Sequence, residues 1–479
     1  MKFPESKIIN ISIAGCLVLL IAGMLSCRQA PDQSNPRKNV LFIMIDDLTT
    51  DLGSYGNSVV KSPNIDRLDE NGIQFTQAYT QFPLCNPSRA SLLTGMYPGK
   101  VGVKNLSDGL RDNIPDLVTL PQLFRENGYF TARAGKIFHM GVPDDIAVCS
   151  SGADDPRSWD ITHNCKGFEL NTNGVFYNAT PYEEDTVGTG GAISWLKAKK
   201  HDSLQHDYNV ATRTIELIRE HKDEPFFIAP GFIRPHVPLV APERFFAMYD
   251  TADITLPPAH PDDRADIPEI VLDYFASDYD ITKNEHKRAI RAYYASITFV
   301  DEQVGRILEV LEEEGLRENT IVALVSDHGF QLGEHGLWFK NYLYEESNRS
   351  PLIIHDPTQS GGVQQYDGLV EFVDIYPTIA ELAGLPYHDR VQGRSLLPLF
   401  KNEEIDEIEY VKIETKHGRS IRSKEWVYNR YHSGTEEIFN LREDPHEFNN
   451  LMDDDISPEI KNELRNEWKE AFNGFDNER

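Results

Sequence analysis

The sequence predicts an α/β fold with a small antiparallel β subdomain at its C-terminal end. Three features lead there. From Asn39 onward, short apolar runs alternate with stretches of helical spacing, the pattern of strands and helices taken in turn. Two of these runs stop abruptly at charged pairs, Asp46-Asp47 and Asp327-His328. After Leu399 the helical spacing gives way to short β-type segments divided by turn residues.

Taken in order, Val40 to Ile45 reads as a buried strand. Thr119 to Asn127 has helical spacing, and Tyr129 to Ala134 follows as a strand. Arg213 to His221 reads as a helix and Pro225 to Ala229 as the next strand. Ile290, Tyr294, Ile297, Val300, Val304, Ile307, Leu308 and Leu311 recur at steps of three and four, which predicts a long helix over Glu285 to Glu314, closed by Gly315. Ile321 to Val325 and Pro351 to His355 are further strands. The stretches 145–190 and Asp253 to Asp266 are rich in polar and turn residues and read as surface insertions. Tyr410 to Thr415, Arg419 to Arg422 and Trp426 to Tyr431 predict the antiparallel subdomain, with a closing helix from about Pro458 to Phe472.

The N-terminal end stands apart. Lys2 and Lys7 precede an apolar run from Ile8 to Leu25, a secretory n-region and h-region. Met24-Leu25-Ser26-Cys27 is similar to the box of bacterial lipoprotein signals, in which Cys27 would carry the lipid. An ordinary cleaved signal and an uncleaved anchor are the alternatives, and all three export the protein. The expected organisation is a signal at 1–27, a linker at 28–38, a main domain at 39–400 and the subdomain at 401–479.

Composition narrows the function. With 479 residues, 40% hydrophobic and 26% charged, the chain is neither disordered nor a polytopic membrane protein. The formal charge of -29 disfavours nucleic acid as a partner. It would repel a polyanionic substrate too, unless a local basic pocket overrides the global field. Five cysteines are too few for a disulfide scaffold. Cys149 and Cys165 lie close enough in sequence to pair in an oxidising compartment, which leaves Cys85 alone in the mature domain.

Ligands in an open parallel sheet bind beyond the carboxyl ends of the strands. Asp46, Asp47, Asp327 and His328 all sit at such ends, and three carboxylates with an imidazole suit a hard divalent ion, Ca²⁺ or Mg²⁺. The nitrogen donor keeps Mn²⁺ and Zn²⁺ open. Strand punctuation is the bland account of either pair alone. Cys85 precedes Pro87, and Gly95 closes the run that follows, so Cys85 falls at a helix N-terminus. There it reads either as an activated thiol or as a small buried hydrophobe.

Cys85-Asn-Pro-Ser-Arg89 with Leu93-Thr-Gly95 resembles the signature of type I sulfatases, every fixed position being present. The resemblance runs from Val40 to Asp444-Pro-His-Glu-Phe-Asn-Asn-Leu451. Gly135-Lys-Ile-Phe-His139, Pro230-Gly-Phe-Ile-Arg-Pro-His236, Ser326-Asp-His-Gly329 and Gly333-Glu-His-Gly-Leu-Trp-Phe-Lys340 are similar to the iduronate-2-sulfatase-like branch. It implies an alkaline-phosphatase/sulfatase-like fold: a large, mixed, mostly parallel sheet flanked by helices, with a small C-terminal antiparallel sheet. It implies a Cys85 oxidised to formylglycine, whose hydrate attacks sulfur, and a Ca²⁺ held by Asp46, Asp47, Cys85 as formylglycine, Asp327 and His328. Lys136 and Lys340 would bind the sulfate and Arg89 would steady residue 85. His139 would act as base for sulfate elimination, and His236 would protonate the leaving sugar oxygen. Arg234, Glu334 and His335 stay outside the core site.

The activity implied is removal of sulfate from oligosaccharides of sulfated, uronate-containing polysaccharides such as ulvan or glycosaminoglycans. The implied partners are a formylglycine-generating maturation enzyme and, through Cys27, a membrane; the expected place is the periplasm or cell envelope. Two other readings compete. One is a phosphodiesterase or phosphonate monoester hydrolase of the same superfamily. The other is a lipoprotein that binds sulfated glycans without cleaving them.

Overall fold

Asn39–Ile45 is buried at every position, which for seven consecutive residues requires cover on both faces. In a computed structural model, described over residues 37–167, 174–178, 193–199, 201–272, 279, 281–358, 363–452 and 456–475, that strand lies inside an eight-stranded sheet. The order across the sheet is Gln365–Glu371, Ile73–Tyr79, Leu352–His355, Thr320–Ser326, Asn39–Ile45, Phe226–Phe232, Phe130–Gly135, Ile161–His163. Leu352–His355 runs antiparallel to both neighbours, and every other pairing is parallel. The sheet is therefore mixed and mostly parallel. The signal, Cys27 and all but the last two residues of the linker lie outside the described residues, as does part of the 145–190 insertion.

Alternation along the central strand divides the core. Leu41, Ile43 and Ile45 face one apolar layer with Ile297, Val300, Val304 and Leu311 of the long helix. Val40, Phe42 and Met44 face the other, with Leu92, Leu93, Ile375 and Ile379. The long helix spans Lys283–Glu313 and starts in a capping box, Thr282 with Glu285, within two residues of the predicted span. Register matters most for function. Ile45 pairs with Ser326 on one side and Phe232 on the other, so the residues that follow each strand emerge side by side at one edge.

Two readings need correction. The stretch 145–190 is not only a surface insertion: Ile161–His163 pairs with Ala132 to Ala134 as an edge strand of the main sheet, and Gly174–Asn178 joins Ser194–Ala198 and Leu239–Pro242 in a separate sheet. Three residues are too few to show an alternation. Cys149 is exposed, Cys165 is buried and both are free thiols, so the pairing that the sequence leaves open is not made.

The C-terminal sheet is antiparallel and has four strands, Val411–Glu414, Gly418–Arg422, Trp426–Tyr431 and Glu436–Asn440, the last not separated out in the sequence reading. Helix Pro458–Ala471 packs Leu464 against Ile421, Tyr428 and Ile438. Lys38–Arg479 form one compact unit, and buried polar contacts tie the small sheet into it. The Tyr344 hydroxyl donates to Glu437 at 2.8 Å. Arg422 pairs with Glu447 at 2.6 Å and with Glu345 at 2.9 Å. Truncating a buried cation strands its partner without a counter-charge. Arg422→Ala is accordingly expected to lower the unfolding free energy by about 3–5 kcal/mol, read from urea denaturation; a loss no larger than that of an exposed pair would refute the tie.

Candidate active site

Six segments meet at the carboxyl edge of the sheet. The central strand delivers Asp46 and Asp47, both fully buried. Asp47 adopts a left-handed conformation with φ 60°, uncommon for a residue with a Cβ, and its surroundings hold it there. Its N–H donates to Asp327 Oδ1 at 3.2 Å, and its carbonyl accepts the Tyr293 hydroxyl at 2.6 Å. The same hydroxyl accepts the N–H of Thr49 at 3.0 Å. Ser326 Oγ accepts from Leu48 N–H at 2.9 Å and donates to the His328 carbonyl at 2.8 Å.

Helix Cys85–Thr94 begins at Leu84, with an extended backbone, and ends at Gly95 with φ 65°, a conformation glycine takes without strain. Cys85 stands in its first turn as the sequence predicts, 2% exposed. Arg89, one turn on, lies on the same face. Its Nε meets Asp327 Oδ2 at 2.8 Å and its Nη2 meets Asp46 Oδ1 at 3.0 Å. Nη1 donates to the carbonyls of Lys136 and Ile137 at 2.6 and 3.0 Å. Ser88 donates to the Asp327 carbonyl and accepts from Thr80 at 2.9 Å.

Around Cys85 Sγ the remaining predicted groups converge. Lys136 Nζ contacts Asp46 Oδ2 at 2.6 Å. Lys340 Nζ lies 2.6 Å from Asp47 Oδ1 and 3.6 Å from Sγ. His328 donates through Nδ1 to the Gly329 carbonyl at 2.8 Å, which leaves Nε2 facing Sγ at 3.4 Å. His236 donates through Nδ1 to the Val237 carbonyl at 2.6 Å and turns Nε2 toward Asp47 Oδ2 at 3.8 Å. His139 is hydrogen-bonded to Cys85, and its Nδ1 is buried without a partner.

The charges set each other's protonation. Burial pushes the Cys85 thiol up, but Lys136, Lys340 and His328 outweigh it and hold the group well below the ordinary thiol range. Asp46 is pushed up by burial and by Cys85, yet Lys136, Arg89 and His236 bring it below the usual carboxylate range. Burial opposes charge on His328, while Asp327 and Cys85 raise it to about 9. Burial lowers His139, against its hydrogen bond to Cys85, and favours the neutral ring.

Asp46, Asp47, Cys85 and His328 bring one ligand atom each within 4.8 Å of one another, all buried. Asp327 stands beside this group: Oδ1 accepts the N–H groups of Asp47 and His328, and Oδ2 takes Arg89. Two carboxylates and an imidazole nitrogen aimed at one point fit a divalent cation. Tyr293 and Ser326, which hold the Asp47 turn, have no role in the sequence reading. Of the residues kept outside the core, Arg234 donates to the His236 carbonyl at 2.6 Å. Glu334 accepts Leu332 N–H at 2.6 Å, and His335 pairs with Asp263 at 2.9 Å.

Known proteins resemble this chain over most of its length. The sulfatase family profile matches residues 38–385, and that of the C-terminal region of N-sulphoglucosamine sulphohydrolase matches 333–473. A sulfatase of Formosa agariphila is 33% identical over 90% of this chain and 87% of its own. Human iduronate 2-sulfatase is 30% identical over 78% and 76%. Among solved structures, the phosphonate monoester hydrolase of Agrobacterium radiobacter superposes with a TM-score of 0.77 at 22% identity, over 92% of this chain and 95% of that one; at that identity the likeness establishes the fold. The chain belongs to the sulfatase family and is a sulfuric ester hydrolase.

Residues that orient a metal ligand from behind commonly matter nearly as much as the ligand. Tyr293→Phe removes the hydroxyl that holds Asp47 and is expected to weaken binding of a divalent cation by about 10–100-fold in isothermal titration. Unchanged affinity would show that the turn at Asp47 holds without it.

Proposed function

We propose that the enzyme removes sulfate from oligosaccharides derived from sulfated, uronate-containing polysaccharides, glycosaminoglycans or ulvan among them. The observation that carries a sulfate ester as substrate is the pair of buried ammonium groups, Lys136 and Lys340, set against residue 85 inside a strongly acidic chain. Attraction for the anion is thereby confined to the pocket. The uronate class is supported by the four stretches shared with the iduronate-type branch and by the match to human iduronate 2-sulfatase.

Asp46, Asp47, His328 and residue 85 would hold the divalent ion, Ca²⁺ in this reading, with Asp327 bracing them through Arg89. Bound there, the ion would supply Lewis-acid polarisation of the sulfate. Formylglycine made from Cys85 would supply a hydrated aldehyde, one hydroxyl to attack sulfur and a second through which sulfate is later expelled. The chain's own side chains do the rest. Lys136 and Lys340 bind the equatorial sulfate oxygens, where charge develops in the transition state. Arg89 fixes the first turn of the helix that presents residue 85. His236 Nε2 hands a proton to the departing sugar oxygen, and His139, neutral and buried, takes one from residue 85 in the elimination step. Export through residues 1–27, with lipidation at Cys27 and tethering at the cell envelope, belongs to the same proposal. It is supported by Lys2, Lys7 and the apolar run up to the Cys27 box. A maturation enzyme for Cys85 is its necessary partner.

Peptide mass spectrometry across residue 85 of protein from its own host is expected to show loss of sulfur and gain of an aldehyde; an intact thiol in active material would sink the nucleophile assignment. In a desulfation panel, release from uronate-containing oligosaccharides is expected. Activity confined to aryl or choline sulfate would overturn the substrate class, and faster turnover of matched phosphate or phosphonate esters would favour the phosphonate hydrolase reading. Lys340→Ala is expected to lower kcat/KM by roughly 10²–10³-fold, against no loss if Lys340 merely neutralises Asp47.

A further inference from the structure

Asp207 is a fully buried carboxylate to which the chemistry above gives no task. It lies in the first turn of helix His206–Glu220, where the helix N-terminus favours negative charge. Its carboxylate reaches the loop that leaves strand Phe226–Phe232. Oδ1 accepts the backbone N–H of Ile233 at 3.0 Å, and Oδ2 accepts that of Arg234 at 2.9 Å. His206 Nδ1 donates to Oδ1 at 2.8 Å. The two residues held in this way each grip His236. The His236 N–H donates to the Ile233 carbonyl at 2.8 Å, and the Arg234 guanidinium donates to the His236 carbonyl at 2.6 Å. The imidazole is then oriented by its own bond to Val237, so that Nε2 faces Asp47.

We propose that Asp207 is the positioning residue for the leaving-group proton: it fixes the Ile233–His236 turn and thereby keeps His236 Nε2 at the site. This rests on the reading of His236 as the acid. In that step sulfur takes a bond to the oxygen nucleophile at residue 85, its bond to the sugar oxygen breaks with the electron pair going to that oxygen, and the oxygen takes the Nε2 proton. The imidazole is left neutral, with its Nδ1–H still donating to the Val237 carbonyl. Transfer requires hydrogen-bond reach, and hydrogen bonds to a carboxylate are stronger than those to a neutral acceptor. A carboxylate gripping two successive N–H groups is therefore suited to hold the turn to the tolerance that proton transfer demands.

The test uses the full, matured chain and a series of substituted phenyl sulfates, from 4-nitrophenyl sulfate, whose leaving group departs without a proton, to phenyl sulfate, whose leaving group gains from one. Asp207→Asn, close in shape, is compared with His236→Ala and with the double variant. His236→Ala is expected to steepen the dependence of kcat/KM on leaving-group pKa. Asp207→Asn should steepen it in the same sense, its loss on phenyl sulfate exceeding that on 4-nitrophenyl sulfate by at least about tenfold, within the range of general-acid effects. The double variant should be no steeper than His236→Ala. If Asp207→Asn lowers every ester by one common factor while His236→Ala steepens the series, Asp207 is a structural residue and the inference falls. A His236→Ala series no steeper than the parent overturns the acid assignment itself, and this inference with it.

Discussion

Three carboxylates buried at the ends of adjacent strands cannot coexist without compensation, and the Arg89 guanidinium is the group that makes them possible. It joins Asp46 to Asp327 across the gap between two parallel strands and spends its remaining donors on the carbonyls of Lys136 and Ile137. Buried charges persist only when paired and fully hydrogen-bonded. Helix Cys85–Thr94 must therefore sit where Arg89 can reach both acids, and Cys85, one turn earlier, is carried to the same edge. The place of residue 85 is in this sense set by an ion pair.

The same logic explains why an enzyme of sulfate esters can have a strongly acidic exterior. Lys136 and Lys340 are buried, and each is drawn toward a carboxylate that also suits a metal ion. Anion and cation are to be accommodated within a few ångströms, while surface charge farther away than a Debye length of about 8 Å is largely screened. Solubility and specificity are thus handled by separate sets of residues.

Much of this was legible before any coordinates. Asp46-Asp47 and Asp327-His328 stand out because two such pairs fall at equivalent strand ends, and Pro87 and Gly95 bracket a helix by their backbone preferences alone. The long helix announced itself through its spacing. Strands Ile73–Tyr79 and Gln365–Glu371 did not, because Gln77 and Gly368 break off the alternation after only three or four residues. Ile161–His163 was too short to read. Asp207 and Tyr293 were silent for a different reason: each acts through contacts with residues far along the chain, and no local pattern records a long-range hydrogen bond. Asp327 was found, but not its preference for Arg89, which depends on how strand and helix meet.

One consequence of the topology concerns synthesis. The first strand of the sheet pairs with strands made much later, and Asp47 bonds to a residue 280 positions ahead. While the chain is being made, Val-Leu-Phe-Ile-Met-Ile at 40–45 leaves the ribosome with neither neighbour in existence. Long-range parallel pairing is slow, and an unpaired apolar strand invites wrong partners. A nascent chain of this order cannot complete its sheet until most of it has emerged, and Cys85, later sealed in the core, stays exposed meanwhile.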